Sequence, residues 1–258
     1  MIDWNIDHSV LGAEARDQFS SLDKVFELNG DNITQDKISN VIRVEADKKK
    51  YYVKRYFSGG NHLRRWIGRS RVESEWRNLH LFLAWNIPTA RVIAYGQERF
   101  FGFFCRGAVI TEELTGAIDL ARLVKSGHLT LKQKSTFRNL SAQIANIVRL
   151  LHTHRFTHND LHWRNLLFDE INGRVHLIDC PSGAFWWRGP LLDYRIAKNL
   201  ATLDKSARIY LTHTQRLRFY LDYKEKNKLD TKDKRCIKQI VKAYQHRLRR
   251  KGSHISIT

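Results

Sequence analysis

Cysteine is scarce in this chain, and long apolar runs are missing. The three cysteines, Cys105, Cys180 and Cys236, lie far apart and form no Cys-x-x-Cys pair. Neither a disulfide framework nor a zinc site is therefore indicated, and a reducing compartment fits best. No window approaches the length needed to span a bilayer, and residues 1–22 lack the apolar stretch of a signal peptide. We therefore expect a cytoplasmic protein.

Acidic residues are few relative to basic ones. Lys and Arg number 45 against 26 Asp and Glu, which gives a formal net charge of +19. Most of the excess lies in residues 48–77, with net +8, and 224–251, with net +9. This asymmetry predicts an anionic partner: a nucleic acid, an anionic membrane surface or a phosphorylated substrate. Simple solvation of two helical faces is the alternative. The sequence has no helix-turn-helix, zinc-finger or RNA-recognition signature, so nucleic acid is the weakest choice.

The hydrophobic pattern divides the chain into a strand-rich first part and a helix-rich remainder. One helix is expected in the first part, over about residues 70–85, because Val72, Trp76, Leu79 and Leu83 share a face. A polar joint at 112–116 precedes the helical part. Short apolar runs predict strands at 25–28, 41–44, 51–56, 91–95, 100–104 and 108–112. The remainder predicts a helix through 137–151, a hairpin over 166–178 and helices beyond residue 191.

A polar segment between the predicted helix and hairpin carries a catalytic motif. His158-Asn159-Asp160 is followed by Asn165, five residues after the aspartate. This spacing matches the catalytic loop of protein kinases, in which Asp accepts the hydroxyl proton and Asn holds a metal ion. Arg164 stands where tyrosine kinases carry Arg, and is a second candidate catalytic residue. A polar turn is the alternative reading for the three-residue motif alone.

Asp179 is the candidate for a second metal ligand. It ends an apolar strand fourteen residues after Asn165, as the metal-binding Asp of the Asp-Phe-Gly motif does. The following residues are Cys180 and Pro181, so the Phe and Gly of that motif are absent. A metal role is indicated, whereas the conformational flip of that motif is not expected. Capping of a strand end is the alternative role for such an aspartate.

Lys54 is the candidate cation for the nucleotide phosphates. It ends a predicted strand, as does the lysine that binds the α- and β-phosphates in kinases. Its expected partner is Glu75, because Glu75 lies beside the inner face of the following helix and Glu73 points away. One kinase feature is missing: no Gly-x-Gly-x-x-Gly precedes Lys54, and the loop at 36–40 has no glycine.

The order of these motifs predicts one protein-kinase-like domain over residues 1–258. The fold class is α+β, with a β-rich N-lobe containing one helix over about 1–114 and a mainly α-helical C-lobe over about 115–258.

The chain also resembles the lipopolysaccharide core kinases, the family of the Kdo and heptose kinases. The similar stretches lie at 51–57, 70–96, 108–114, 156–187 and 195–203, and the resemblance covers about residues 40–225. It implies ATP as phosphoryl donor, Mg²⁺ as metal, and a sugar of the inner core of lipopolysaccharide as acceptor. It also implies work in the cytoplasm at the inner face of the inner membrane.

An anionic lipopolysaccharide precursor in an anionic bilayer would account for the positive charge. The basic segment 61–69 is a candidate for peripheral contact with that surface, with an ordinary loop as the alternative. Two other functions are weighed against this one. A kinase-fold phosphotransferase could act on a protein or another small molecule, although no Ala-Pro-Glu motif follows Asp179. A catalytically inactive pseudokinase could bind anionic partners, but it would not need Lys54, Asp160, Asn165 and Asp179 together.

Overall fold

The computed structural model describes residues 1–60, 68–127 and 133–252, with side chains described as far as Gln245. Contacts group the chain into two units. The first is Met1–Thr115 with Ile178–Ser182, and the second is Gly116–Leu177 with Gly183–Thr258. Most of the predicted surface segment 61–69 lies outside the described residues.

The first unit is built on a six-stranded antiparallel sheet. Its strands are β1 (Ile2–Ile6), β2 (Asp31–Gln35), β3 (Ser39–Ala46), β4 (Lys49–Tyr56), β5 (Val92–Phe100) and β6 (Phe103–Glu112). They lie in the order β1-β5-β6-β4-β3-β2. Strand β4 pairs with both β3 and β6. Alternation along β4 buries Tyr51 and Val53 in the core, and it turns Lys54 to the opposite face.

One long helix of this unit carries a predicted site residue. Helix α3 (Arg71–Ala84) begins where the Ser70 hydroxyl accepts a hydrogen bond from the Glu73 amide. It buries Val72, Trp76, Leu79 and Phe82, which recur at helical spacing. The predicted helix over 70–85 is confirmed, and its packing fixes the orientation of Glu75.

Two short helices lie between β1 and β2, and the second stands where a strand was expected. They are α1 (Ala13–Gln18) and α2 (Leu22–Glu27). The strand predicted at 25–28 is therefore wrong, and the first unit has more than the one helix predicted. The physical reason is local: the Ser21 hydroxyl accepts from the Lys24 amide and caps α2, while Leu22 and Val25 turn into the core three residues apart.

The second unit is mainly helical. Its helices are α4 (Leu120–Lys125), α5 (Lys134–Thr153), α6 (Pro190–Tyr210), α7 (His213–Lys224) and α8 (Thr231–Gly252). Its strands are β7 (Ala117–Asp119), β8 (Phe156–Thr157), β9 (Leu166–Asp169), β10 (Arg174–Leu177) and β11 (Ala184–Phe185). They form a three-stranded sheet, β10-β9-β7, and the pair β11-β8. The predicted long helix, hairpin and C-terminal helices are confirmed. The three strands expected over 91–112 are two longer ones, β5 and β6.

Candidate active site

Lys54 lies between two carboxylates of the first unit. Its Nζ atom is 3.0 Å from Oε2 of Glu75 and forms a second ion pair with Oδ1 of Asp179. The Lys54 and Glu75 side chains are 17% and 6% exposed, whereas Asp179 is 35% exposed. Glu73 binds Arg77 instead, at 3.1 Å. The expected choice of Glu75 as the partner of Lys54 therefore agrees with the geometry.

Neighbouring cations of β4 have other partners. The Arg55 guanidinium donates to the carbonyls of Val25 and Leu28, at the C-terminal end of α2. Lys49 forms an ion pair with Glu112 at 3.0 Å. Of Lys49, Lys54 and Arg55, Lys54 is the one that pairs with a buried acid, Glu75.

Burial and the charges of neighbouring groups act in opposite directions on the pKa values of Lys54 and Glu75. Burial alone would lower the pKa of Lys54, but Glu75, Tyr56 and Asp179 raise it well above its ordinary value. Burial raises the pKa of Glu75, and Lys54 opposes that rise. The Tyr56 hydroxyl donates to Oε2 of Glu75. Lys54 is therefore charged, and Glu75 is held in place from two sides.

The turn that carries Asp179 is anchored to α3. The Asn78 side-chain amide donates to the Cys180 carbonyl at 2.7 Å, and both residues are buried. Asp179 itself has φ +59°, in the left-handed region that few residue types other than glycine adopt. Such backbone conformations occur often at functional sites. The hydrogen bond from Asn78 gives this turn a fixed position relative to Glu75, one helical turn earlier.

A second cluster surrounds Asp160 in the second unit. Oδ1 of Asp160 lies 3.1 Å from Nε2 of His162, and Oδ2 lies 3.0 Å from a terminal nitrogen of Arg164. His162, followed by Arg164, holds the pKa of Asp160 well below its ordinary value. The carboxylate is therefore ionised at neutral pH and can accept a hydrogen bond from a hydroxyl.

Asn165 is buried and oriented by the same loop. Its side-chain nitrogen donates to the Asp160 carbonyl at 2.9 Å. That bond involves the amide nitrogen of Asn165. A hard cation would bind the other polar atom of the side chain, the amide oxygen. His162 caps a short 3₁₀ helix, Trp163–Asn165, which carries Arg164 and Asn165.

The predicted site residues therefore fall into two groups. The structure brings Lys54, Glu75 and Asp179 together in the first unit, and Asp160, Arg164 and Asn165 together in the second. Within the described ranges, no three His, Cys, Asp or Glu side chains form a group that could hold a metal ion. A magnesium ion normally needs only one or two carboxylates beside phosphate oxygens and water, so the donor types of Asp179 and Asn165 fit it.

Three residues of these clusters were not predicted to have these contacts. Tyr56 binds Glu75, Asn78 binds the Cys180 carbonyl, and His162 binds Asp160. For Asn78 a signal was available, since it lies three positions after Glu75 on the same helix. Tyr56 likewise lies two positions after Lys54, on the same face of β4.

An apolar cavity of about 550 Å³ lies within the second unit. Helices α4 to α8 all contribute to it, and polar groups form a small part of its surface. Residues that line it include Leu120, Val124, Leu140, Ile144, Leu203 and Ile240.

The strand-rich unit and the helical unit are those of a protein-kinase-like fold. The chain belongs to the lipopolysaccharide kinase (Kdo/WaaP) family, whose model matches residues 20–223. It is similar to the solved structure of WaaP in complex with acyl carrier protein, with a TM-score of 0.67 and 20% identity over 87% of this chain and 89% of that chain. A search among curated proteins gives no match.

These findings confirm the protein-kinase-like fold and the assignment to phosphotransferases of lipopolysaccharide biosynthesis. A kinase of this family uses a nucleotide as phosphoryl donor. Among the described helices, none has both the length and the apolar character needed to cross a bilayer.

Proposed function

We propose that this chain transfers the γ-phosphoryl group of ATP, with Mg²⁺, to a sugar hydroxyl in the inner core of lipopolysaccharide. The acceptor sugar is Kdo or a heptose. The observation that carries the proposal is the buried Lys54–Glu75 ion pair with Asp179 bound to the same ammonium group. A protein that only bound an anionic partner would have no need to bury this cation between two acids.

Each cluster supplies a different part of the reaction. Lys54, held by Glu75, binds the α- and β-phosphates of the nucleotide. Asp160 orients the attacking sugar hydroxyl and accepts its proton, and His162 and Arg164 keep that carboxylate ionised and positioned. Asp179 and Asn165 would hold Mg²⁺, which supplies positive charge to the phosphate oxygens.

The test is transfer of label from γ-³²P-ATP to unphosphorylated core oligosaccharide. The Asp160→Asn variant should lose about 10²- to 10⁴-fold in turnover, because it lacks the proton acceptor. Its nucleotide affinity should stay close to that of the wild type. The exposed Asp17→Asn variant is the matched control and should be fully active. Acceptors that end in Kdo or in heptose separate the two sugars.

Two other functions make different predictions in this assay. A kinase acting on a protein or another small molecule would turn over ATP without labelling the oligosaccharide. An inactive pseudokinase would bind the anionic acceptor and transfer nothing. Wild-type turnover by Asp160→Asn would remove this residue from the mechanism.

The place of the reaction follows from the acceptor. A core precursor attached to lipid A lies in the cytoplasmic leaflet of the inner membrane while ATP is available to it. We therefore propose that the protein works at that surface, as a peripheral protein. The large positive charge supports contact with the anionic precursor and membrane.

The apolar cavity supports a second proposal, an acyl carrier protein as partner. Its volume and apolar lining suit an acyl chain, and the similar WaaP was solved with acyl carrier protein. Co-elution on gel filtration should be stronger with an acylated carrier than with the unacylated form. Ala207→Phe should fill part of the cavity and weaken that difference. Equal binding of both carrier forms would contradict a role for the cavity.

A further inference from the structure

The hairpin that joins β5 to β6 has an aromatic tip. Phe100 and Phe101 are 67% and 86% exposed, and Phe103 follows after a single glycine. The Phe100 and Phe101 rings contact each other edge to face, with centroids 4.6 Å apart. We call residues 100–103 the hairpin tip. Exposed aromatic side chains that form a contiguous patch often mark a site of contact with a protein or a membrane.

The backbone of the tip does not favour a phenylalanine. Phe100 pairs with Phe103, so the turn consists of two residues, Phe101 and Gly102. Both have positive φ, +47° and +83°. Turns of this kind favour asparagine followed by glycine, and a bulky residue at the first position is unfavourable. The Phe101 side chain therefore neither packs in the core nor suits the turn, which indicates a role outside the fold.

Positive charge lies next to the tip. The Arg99 guanidinium donates to the Gly102 carbonyl at 2.9 Å and to the Gly68 carbonyl at 2.7 Å. Arg69, Arg77 and Arg99 lie 3.9, 3.1 and 3.6 Å from the carboxylate of Glu73. Three guanidinium groups thus share one carboxylate, and the Arg69 and Arg77 side chains are more than half exposed. The three guanidinium groups and the Glu73 carboxylate together carry a net charge of +2.

We propose that the hairpin tip inserts into the interfacial region of an anionic lipid bilayer, with Arg69 and Arg77 facing the headgroups. Aromatic rings enter the boundary between headgroups and acyl chains, and nearby arginines gain from the negative surface potential. The tip carries no residue assigned to the reaction. The inference extends the proposed function, because it names the surface through which the enzyme would reach a lipid-linked acceptor.

The test compares binding to vesicles of phosphatidylethanolamine and phosphatidylglycerol by co-sedimentation. Phe101→Asn should weaken binding about tenfold, since one inserted ring is lost. The same variant should unfold at the same temperature as the wild type or higher, because asparagine suits the turn. Ile171→Asn is the matched control. Ile171 is 79% exposed on a turn outside the tip, and its loss should leave vesicle binding unchanged.

Three results would overturn the proposal. The first is wild-type vesicle binding by Phe101→Asn and by the double variant Phe100→Ser/Phe101→Asn. The second is equally tight binding of the wild type to phosphatidylcholine vesicles, which would exclude the anionic surface. The third is loss of self-association in these variants with vesicle binding unchanged, which would make the tip a contact between copies of the chain.

A separate assay keeps this inference apart from the proposed reaction. Transfer to soluble core oligosaccharide should be the same for Phe101→Asn and the wild type. If the wild type binds vesicles through the tip but transfers no phosphate, only the proposed reaction is contradicted. If it transfers phosphate and the variants bind vesicles normally, only the membrane contact is contradicted.

Discussion

At the scale of a residue, Lys54 is a single ammonium group shared by two acids that differ in burial. Glu75 is almost fully buried, whereas a third of the Asp179 side chain reaches solvent. Removing the cation therefore affects the two acids differently. Asp179 can be hydrated, but Glu75 would be left as an uncompensated charge inside the first unit.

This difference predicts a rescue of stability without a rescue of activity. Lys54→Met should lower the free energy of unfolding by about 3 kcal/mol, the usual cost of breaking a buried pair. Adding Glu75→Gln should restore more than half of the loss, because the remaining side chain is neutral. Both variants should fail to transfer phosphate. Urea unfolding and the transfer assay provide the two measurements, and a double variant less stable than Lys54→Met would contradict the argument.

A second prediction at this scale concerns Asp179. If its carboxylate helps to hold Mg²⁺, Asp179→Asn should raise sharply the Mg²⁺ concentration needed for half-maximal transfer. Asn78→Ala is the informative comparison: it removes the hydrogen bond to the Cys180 carbonyl but leaves the carboxylate in place. It should lower turnover with a smaller change in Mg²⁺ requirement. Unchanged Mg²⁺ dependence in both Asp179→Asn and Asn165→Ala would contradict the proposed metal site.

At the scale of the elements, His152 joins three helices of the second unit. Its Nδ1 atom lies 2.9 Å from the Tyr223 hydroxyl on α7, and Nε2 lies 3.0 Å from Oδ1 of Asn199 on α6. Burial, assisted by the charge of Lys224, lowers the pKa of His152 to about 4. The neutral imidazole is therefore the form that holds these helices together.

The sign of the resulting pH dependence follows from linkage. The unfolded chain takes up a proton at His152 near pH 6.5, whereas the folded chain resists it down to about pH 4. The contribution of His152 is complete above pH 6.5 and is lost as the pH falls toward 4. We expect up to about 1.4 kcal/mol lost per pH unit in this window. His152→Gln should unfold more easily at pH 7.5, with a shallower slope toward pH 5. An unchanged slope would show that other groups set it.

The helices show which elements could be predicted from the sequence and which could not. Helices α3 and α5 were predictable because each buries a regular apolar stripe. Helix α2 was not, because two buried residues, Leu22 and Val25, are too few to reveal a helical period. The missing glycine-rich loop has a local explanation. Asp36 accepts hydrogen bonds from the Ile38 and Ser39 amides, both at 2.7 Å, and closes the turn between β2 and β3 without glycine.

Part of the candidate site was also predictable from regular spacing along the chain. Asp160, Asn165 and Asp179 lie at the spacings of the protein-kinase catalytic loop and metal-binding motif, so a single sequence reveals them. The bonds from Tyr56, Asn78 and His162 join residues that are brought together by packing or by the shape of a loop. The spacing in the sequence places Tyr56 on the face of Lys54 and Asn78 one helical turn after Glu75, but it does not specify the atoms that they bind. Those partners became visible only in three dimensions.

At the scale of the whole molecule, the net charge of +19 is much larger than the reaction needs. Catalysis assigns roles to Lys54 and Arg164, which leaves most of the basic residues for solubility or an anionic partner. Helix α8 concentrates part of this excess, since Lys234, Lys238 and Lys242 are exposed and recur every four residues along it. Exposed charges act over about a Debye length, roughly 8 Å at physiological salt. Attraction through α8 should therefore weaken steeply as salt is added.

The last prediction tests whether this helix contacts the anionic acceptor. Lys238→Glu with Lys242→Glu should weaken binding to lipopolysaccharide precursor or anionic vesicles, with the largest effect at low salt. Nucleotide affinity should stay close to that of the wild type, because neither lysine belongs to the two site clusters. The matched control is Lys37→Glu with Lys125→Glu, which removes the same charge from exposed positions elsewhere. Circular dichroism must show both variants folded, since lysine stems also cover apolar helix surface. Equal loss in both variants would mean that total charge governs binding, and no loss in either would leave α8 a solvated face.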